Sequence, residues 1–194
     1  NSGIDRPEEI VGEKKCRVVT FGKGTDSDYT AENITYDEFA RPSYDLVIRG
    51  EHVGRVTLGV TGEHNVYNSL AAVVLELGVN LDAAIAGLKV FGGTDRRFEK
   101  KGIVGGVTII DDYAHHPQEI HATLEAARHY PHRKLWCVFQ PHTYTRTKAF
   151  MDQFAQELAR ADEVIVADIY AARETDHLGI SSANLVEKIR ARGT

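Results

Sequence analysis

The sequence predicts an α/β fold, and three observations carry that prediction. The first sixty residues fall into short β-type runs, the following stretch switches to a helical period, and residues beyond 99 alternate strand and helix. Strands are expected at 16–21, 34–39, 44–49 and 55–60, separated by Gly-, Asp- and Pro-containing breaks, with a hairpin connection at Arg49-Gly50-Glu51-His52-Val53-Gly54. After Gly62 the apolar residues Leu70, Val73, Val74 and Leu77 recur at i, i+3, i+4 and i+7, so a helix should run to a C′ glycine at Gly78. A second helix is expected at 81–89 behind Asn80 as its cap.

Glycines punctuate Phe91-Gly92-Gly93-Thr94-Asp95, and the pattern changes beyond them, so we place a domain change near residue 99, giving domains 1–98 and 99–194. The second domain should open with a strand pair at 103–111 around Gly105-Gly106. A helix at 117–130 follows, with Pro117 at N1 and Ile120, Leu124 and Ala127 on one face. A strand at 135–139, a helix at 146–161 carrying Phe150, Phe154 and Leu158 inward, a strand at 164–167 and a last helix capped by Ser182 complete a β-α-β-α-β-α series. Such a series predicts a Rossmann-like parallel sheet.

The chain has 194 residues, a net charge of -5 and 42% hydrophobic residues, which fits a globular protein with a real core and excludes fibres and tails. No basic field exists to hold nucleic acid, and no apolar run approaches the roughly 20 residues of a membrane span, so neither partner is expected and a cytoplasmic location is. Cys16 and Cys137 lie in apolar, strand-like segments without CxxC spacing, which argues for reduced core thiols rather than a disulfide or zinc cluster. The chain begins with Asn1, so it reads as a piece of something longer.

Ligands of open parallel sheets bind beyond the carboxyl ends of the strands, where helix N-termini favour anions. Here those ends read Asp111-Asp112-Tyr113-Ala114-His115-His116-Pro117, Gln140-Pro141-His142-Thr143-Tyr144-Thr145-Arg146 and Asp168-Ile169-Tyr170. Six of the nine histidines fall between residues 115 and 142, which points to a functional rim. Adjacent histidines seldom share one ion, so His115-His116 is read as an N-cap with an exposed neighbour or as a ligand-facing pair, and no metal site is assigned. Asp112, nearer the loop than Asp111, is the better ligand candidate. Arg96-Arg97-Phe98-Glu99 is either a solvated charge cluster or, at a domain hinge, an arginine clamp for phosphate. His64 or Asn65 caps the first long helix or meets an adenine edge. Gly22-Lys23-Gly24-Thr25 lacks phosphate-loop spacing and is read as a turn.

Four segments together resemble the Mur ligase family: residues 62–72 around Glu63-His64-Asn65, residues 91–99 around Asp95-Arg96-Arg97, residues 111–117, and residues 139–147. The resemblance covers the chain from about Cys16 to its end, and Asp-Asp-Tyr-Ala-His-His-Pro is its most discriminating motif. It implies the β-rich and helical end of a P-loop-type ATPase domain to about residue 98, then most of an amino-acid-binding domain. It also implies an ATP-dependent, amide-forming activity in peptidoglycan synthesis, with UDP-N-acetylmuramate and L-alanine as substrates. Mg2+ ligands and the P-loop would lie in segments of the enzyme that this chain does not include. Carried onto this sequence, the resemblance places Arg96 at the γ-phosphate, His64, Asn65 and Asn68 at the adenine, and Asp112 at the ribose or phosphate. Tyr113, His115 and Arg146 form the wall around the amino acid, with Arg96 and His115 as the catalytic pair. Thr143 stands where the family commonly has arginine, removing a candidate carboxylate clamp, and Thr94 stands where valine is usual. The alternatives are the family's tripeptide-recycling ligase and a non-catalytic nucleotide- or amino-acid-binding module.

Overall fold

A computed structural model describes residues 18–23, 26–74 and 80–193. They divide into two compact units between Gly93 and Thr94. The α/β class holds in both.

Unit 1 is built on one sheet of order β1-β2-β3-β4, with β1 (Phe21–Gly22), β2 (Tyr29–Tyr36), β3 (Pro42–Ile48) and β4 (Glu51–Thr57). β1 pairs parallel to β2, and β2-β3-β4 is antiparallel. All four strands depart from the expected bounds, and β4 starts at Glu51 where a strand was expected only from 55. Residues 16 and 17 of the first predicted strand lie outside the described residues, and the second strand begins at Tyr29 rather than 34. It stops at Tyr36 because Asp37 accepts backbone hydrogen bonds from Phe39 (2.9 Å) and Arg41 (2.8 Å), folding the chain into a turn that puts Ala40 at φ 57°. The hairpin connection, expected over 49–54, is shorter: Arg49 (φ 50°) and Gly50 (φ 83°) form a two-residue turn, and residues 51–54 already belong to β4.

Two helices complete unit 1: α1 (His64–Val74) lies against β1 and β2, and α2 (Leu81–Val90) against β4. Tyr44, Leu46, Val56, Leu58, Val66, Leu70 and Val73 form its core. The Tyr44 hydroxyl keeps a partner there, 2.8 Å from Ser69 Oγ. Asn80 caps α2 as expected, accepting from Asp82 N at 2.8 Å, while the expected C′ Gly78 falls outside the described residues. At Gly59 a Cβ would stand 2.4 Å from the Phe91 carbonyl oxygen, so only glycine lets β4's exit approach the end of α2.

Unit 2 follows the predicted alternation: β5 (Glu99–Val104), β6 (Val107–Asp111), α3 (Pro117–His129), β7 (Trp136–Phe139), α4 (Tyr144–Ala149), α5 (Met151–Leu158), β8 (Glu163–Val166) and α6 (Ser182–Arg190). β7 and β8 pair in parallel, as the crossover helices between them require, and β5-β6 is a separate antiparallel hairpin. The single helix expected at 146–161 is two, broken at Phe150 (φ -114°, ψ 19°), whose ring packs on His116 at 4.8 Å and on Phe154 at 6.3 Å. The last helix is capped by Ser181 rather than Ser182.

Ile120, Leu124, Phe139, Met151, Phe154, Leu158, Leu185 and Ile189 form the core of unit 2. Burial of each large apolar side chain is worth about 1.5–3 kcal/mol. Cys137 packs against this core, and burial pushes its thiol up to about 11, as an inert structural cysteine requires. Apolar side chains nonetheless remain exposed along the strands, with Val138 at 73% and Trp136 at 57%.

Candidate functional site

The carboxyl ends of β6 and β7 in unit 2 open into one cavity of about 540 Å³. Arg96, Asp112, Tyr113, His115, His142 and Arg146 line it beside apolar groups of β6, α3 and β7. Five of these were candidates from the sequence; His142 was not assigned a role, although its place one residue past the β7 exit proline was a usable signal.

The β6 end is tied together by backbone bonds. Tyr113 N donates to the Arg96 carbonyl at 2.7 Å, and the Asp112 carboxylate accepts from Phe98 N at 2.8 Å and from Ala114 N at 2.7 Å. Asp112 therefore clamps the 94–98 turn to the strand end, with one further lone pair on each oxygen for a ligand. That turn holds Arg96 (φ 58°) and Phe98 (φ 49°) in the left-handed region, a conformation costing roughly 1–3 kcal/mol per non-glycine residue and maintained only where surrounding bonds over-determine it. The Arg96 guanidinium lies 4.5 Å from the Tyr113 ring centroid, with Nε 3.7 Å from Asp111 Oδ2, and its side chain is 58% exposed.

His115 and His116 take different work. The His116 side chain accepts from Gln118 N at 3.4 Å as the N-cap of α3, and Glu119 reaches back to His115 N (3.0 Å) and His116 N (3.1 Å), a capping box. His115 Nδ1 sits 2.9 Å from the Tyr113 carbonyl oxygen. A carbonyl only accepts, so Nδ1 carries the hydrogen and the Nε2 lone pair is the basic position. Burial pushes the Glu119 carboxyl up, but the His115 backbone and charge, the His116 backbone and Arg97 outweigh it, leaving it below the usual carboxylate range.

At the β7 end Arg146 lies in the first turn of α4, its NH1 3.2 Å from His142 Nδ1. The guanidinium can only donate, so His142 presents Nδ1 as an acceptor, and Arg146 keeps four further N–H donors. Thr143, standing where an arginine was the alternative, is the N-cap of α4 and accepts from Arg146 N at 3.4 Å, in a positive-φ conformation (67°) unusual for a β-branched residue. Glu174 accepts from the backbone N–H groups of Tyr144 and Thr145 and from the Thr145 hydroxyl.

A carboxylate of the chain itself thus stands at each of these helix starts: Glu119 on the N–H groups of His115 and His116 just before α3, and Glu174 on the first N–H groups of α4. The expectation that bare helix ends favour an anion is corrected here: on this rim positive charge is offered by the side chains of Arg96 and Arg146. The histidine cluster also divides. His121 binds Glu157 at 2.8 Å on the outer face, and His132 Nδ1 binds the Tyr130 carbonyl at 2.6 Å past the end of α3, so His115 and His142 are the ones lining the cavity.

In unit 1, His64, Asn65 and Asn68 occupy the first two turns of α1. Asn65 Nδ2 donates to the Thr61 carbonyl at 2.7 Å and its Oδ1 accepts from Asn68 Nδ2 at 3.0 Å, so the two amides form one chain of donors and acceptors. Among the described residues, no group of three or more His, Cys, Asp or Glu side chains is arranged to hold a metal ion. No described helix is long and apolar enough to cross a membrane.

Known proteins sharpen this geometry. A UDP-N-acetylmuramate–L-alanine ligase of Lachnospira eligens is 56% identical over 196 residues, an alignment covering 100% of this chain and 43% of the relative. One from Caldanaerobacter subterraneus is 52% identical over 178 residues, 91% of this chain and 39% of its own length. The crystal structure of the UDP-N-acetylmuramate–alanine ligase of Thermotoga maritima superposes with a TM-score of 0.74 at 30% identity, over 91% of this chain and 38% of that one. The chain therefore spans less than half the length of these relatives. The Mur ligase middle domain profile matches residues 4–75, and the Mur ligase glutamate ligase domain profile matches residues 96–194, the latter containing every residue of the unit 2 cavity. By both sequence and fold, the chain belongs to the Mur ligase family.

Proposed function

We propose that the chain supplies the ATP-facing and amino-acid-binding portions of an ATP-dependent UDP-N-acetylmuramate–L-alanine ligase of peptidoglycan synthesis, working in the cytoplasm with the remainder of such an enzyme. The observation that carries the reading is the convergence on one cavity of a histidine with a basic Nε2 and an arginine with unused donors. Alanine needs both, since its carboxylate requires a cation and its ammonium must lose a proton before attack.

In this reading a carboxylate oxygen of UDP-N-acetylmuramate attacks the γ-phosphorus of ATP and ADP leaves. The alanine nitrogen then attacks the acyl phosphate carbon, and collapse of the tetrahedral intermediate expels inorganic phosphate. His64, Asn65 and Asn68 take the adenine, Asp112 the ribose or phosphate side, and Arg96 offsets the charge growing on the γ-phosphoryl oxygens. Arg146 grips the alanine carboxylate, Tyr113 forms part of the pocket wall, and His115 Nε2 takes the amine proton. Mg2+ would be held by the remainder of the enzyme and would offset phosphate charge there.

The test is a chimera in which this chain replaces the aligned segment of the Lachnospira eligens ligase. With ATP, Mg2+, UDP-N-acetylmuramate and L-alanine it should form UDP-N-acetylmuramoyl-L-alanine and release phosphate, whereas the 194-residue chain alone should stay at background. A cooperatively folded chimera that ignores alanine but accepts the tripeptide would move the chain to the recycling ligase. Turnover by the isolated chain would overturn the division of labour.

A further inference from the structure

We propose that Glu174 is a positioning residue for alanine binding, holding Arg146 in place through the N-terminus of α4; this rests on the reading of Arg146 as the carboxylate clamp. Glu174 lies 30 residues beyond Tyr144, in the segment after β8, and its carboxylate receives three donors from the first turn of the helix that carries Arg146. Arg146 is the third residue of that turn, so the bonds at Tyr144 and Thr145 fix the peptide units immediately before it.

Glu174 does not act alone in this. The segment that bears it is strapped along α4: Thr143 N donates to the Tyr170 carbonyl at 2.8 Å, Tyr170 N to the Pro141 carbonyl at 2.9 Å, and Lys148 Nζ to the Leu178 carbonyl at 2.9 Å. The Tyr144 and His177 rings meet edge to face at 4.9 Å, and the Tyr170 ring lies 5.5 Å from that of His142, the side chain touching Arg146. Thr143 keeps its positive φ inside this frame. The first turn of α4 is therefore braced from the β8 side, with Glu174 as the one carboxylate among these braces.

A double-mutant cycle in the chimera tests this, with KM for L-alanine and kcat measured at saturating ATP and folding monitored by thermal melts. Glu174→Ala should raise KM for alanine roughly 3- to 30-fold, the range expected for losing a helix cap, with a smaller change in kcat and no change in KM for ATP. Glu174→Gln should restore KM to within about threefold, because its amide oxygen still accepts the Tyr144 and Thr145 N–H groups. In an Arg146→Ala background, Glu174→Ala should have little further effect on KM. Equal effects of Glu174→Ala with and without Arg146, or an unchanged KM in a folded Glu174→Ala enzyme, overturn the positioning role while leaving Arg146 as the clamp. An unchanged KM in Arg146→Ala overturns the clamp itself.

Discussion

The β6–α3 and β7–α4 connections solve the same problem in different ways. Each leads from a strand end into a helix, and each sets a glutamate against the entering backbone: Glu119 accepts from His115 N and His116 N, and Glu174 from Tyr144 N and Thr145 N. At α3 the glutamate is local, three residues past the His116 cap, whereas at α4 it comes from Glu174, beyond the next strand. The local cap leaves the β6 end tied only to its own helix and to the 94–98 turn that precedes β5, with His115 and Arg96 left to face a ligand. The remote cap makes the β7 end depend on a second segment. The difference teaches that the two ends of one rim should fail differently: loss of β6-end charge should slow the chemistry, and disturbance of the β7 end should weaken amino-acid binding.

The sharpest break would come from Arg96→Ala in the chimera, expected to lower kcat on the order of 10³-fold with little change in KM for alanine, since charge develops at the γ-phosphate during transfer. Near wild-type kcat would return Arg96 to the surface, where its contacts with Tyr113 and Asp111 would be its whole role.

Leu158→Ala probes what the two ends share. Leu158 is fully buried in the one core of unit 2 that also holds Ile120 of α3 and Phe139 of β7, and its truncation should cost about 2–5 kcal/mol of unfolding free energy by chemical denaturation. In the fraction that remains folded, kcat and KM for alanine should shift together or not at all. A selective rise in KM would show that the β7 end depends on core packing rather than on its strap.

The smallest expected effect concerns the local cap. The Glu119 carboxyl is held below its ordinary value of 4.5, so its stabilisation is present above that pH and lost as pH falls through the depressed value. Glu119→Gln should therefore flatten the acid limb of a Tm-against-pH profile at pH values below 4.5. An unchanged limb would mean the capping box contributes nothing to acid stability.

How much of this was legible depended on distance along the chain. The alternation of unit 2, the Asn80 cap and the Pro117 helix start rest on neighbouring residues, and the sequence pattern carries them. The Asp37 turn that ends β2 and the break at Phe150 were missed, one because a side chain folds back on its own backbone, the other because an aromatic ring docks on His116. At the site, Tyr113, His115 and Arg146 stood out by position at strand ends, and Arg96 by its place near the expected domain change. The tautomer of His115, the double clamp of Asp112 and the brace from Glu174 did not, because each depends on which carbonyl or N–H the fold brings within about 3 Å.

Arg146 joins these threads, since the proposed function places the alanine carboxylate on it and the β7-end comparison places its control in a remote segment. The most direct measurement is steady-state kinetics of Arg146→Ala in the chimera, with L-alanine varied at saturating ATP and UDP-N-acetylmuramate. Loss of a charge-assisted hydrogen bond of about 1.5–3 kcal/mol predicts a KM for alanine raised roughly 10- to 100-fold, with KM for ATP almost unchanged. A KM for alanine equal to that of the parent would contradict the account and place the amino-acid pocket elsewhere.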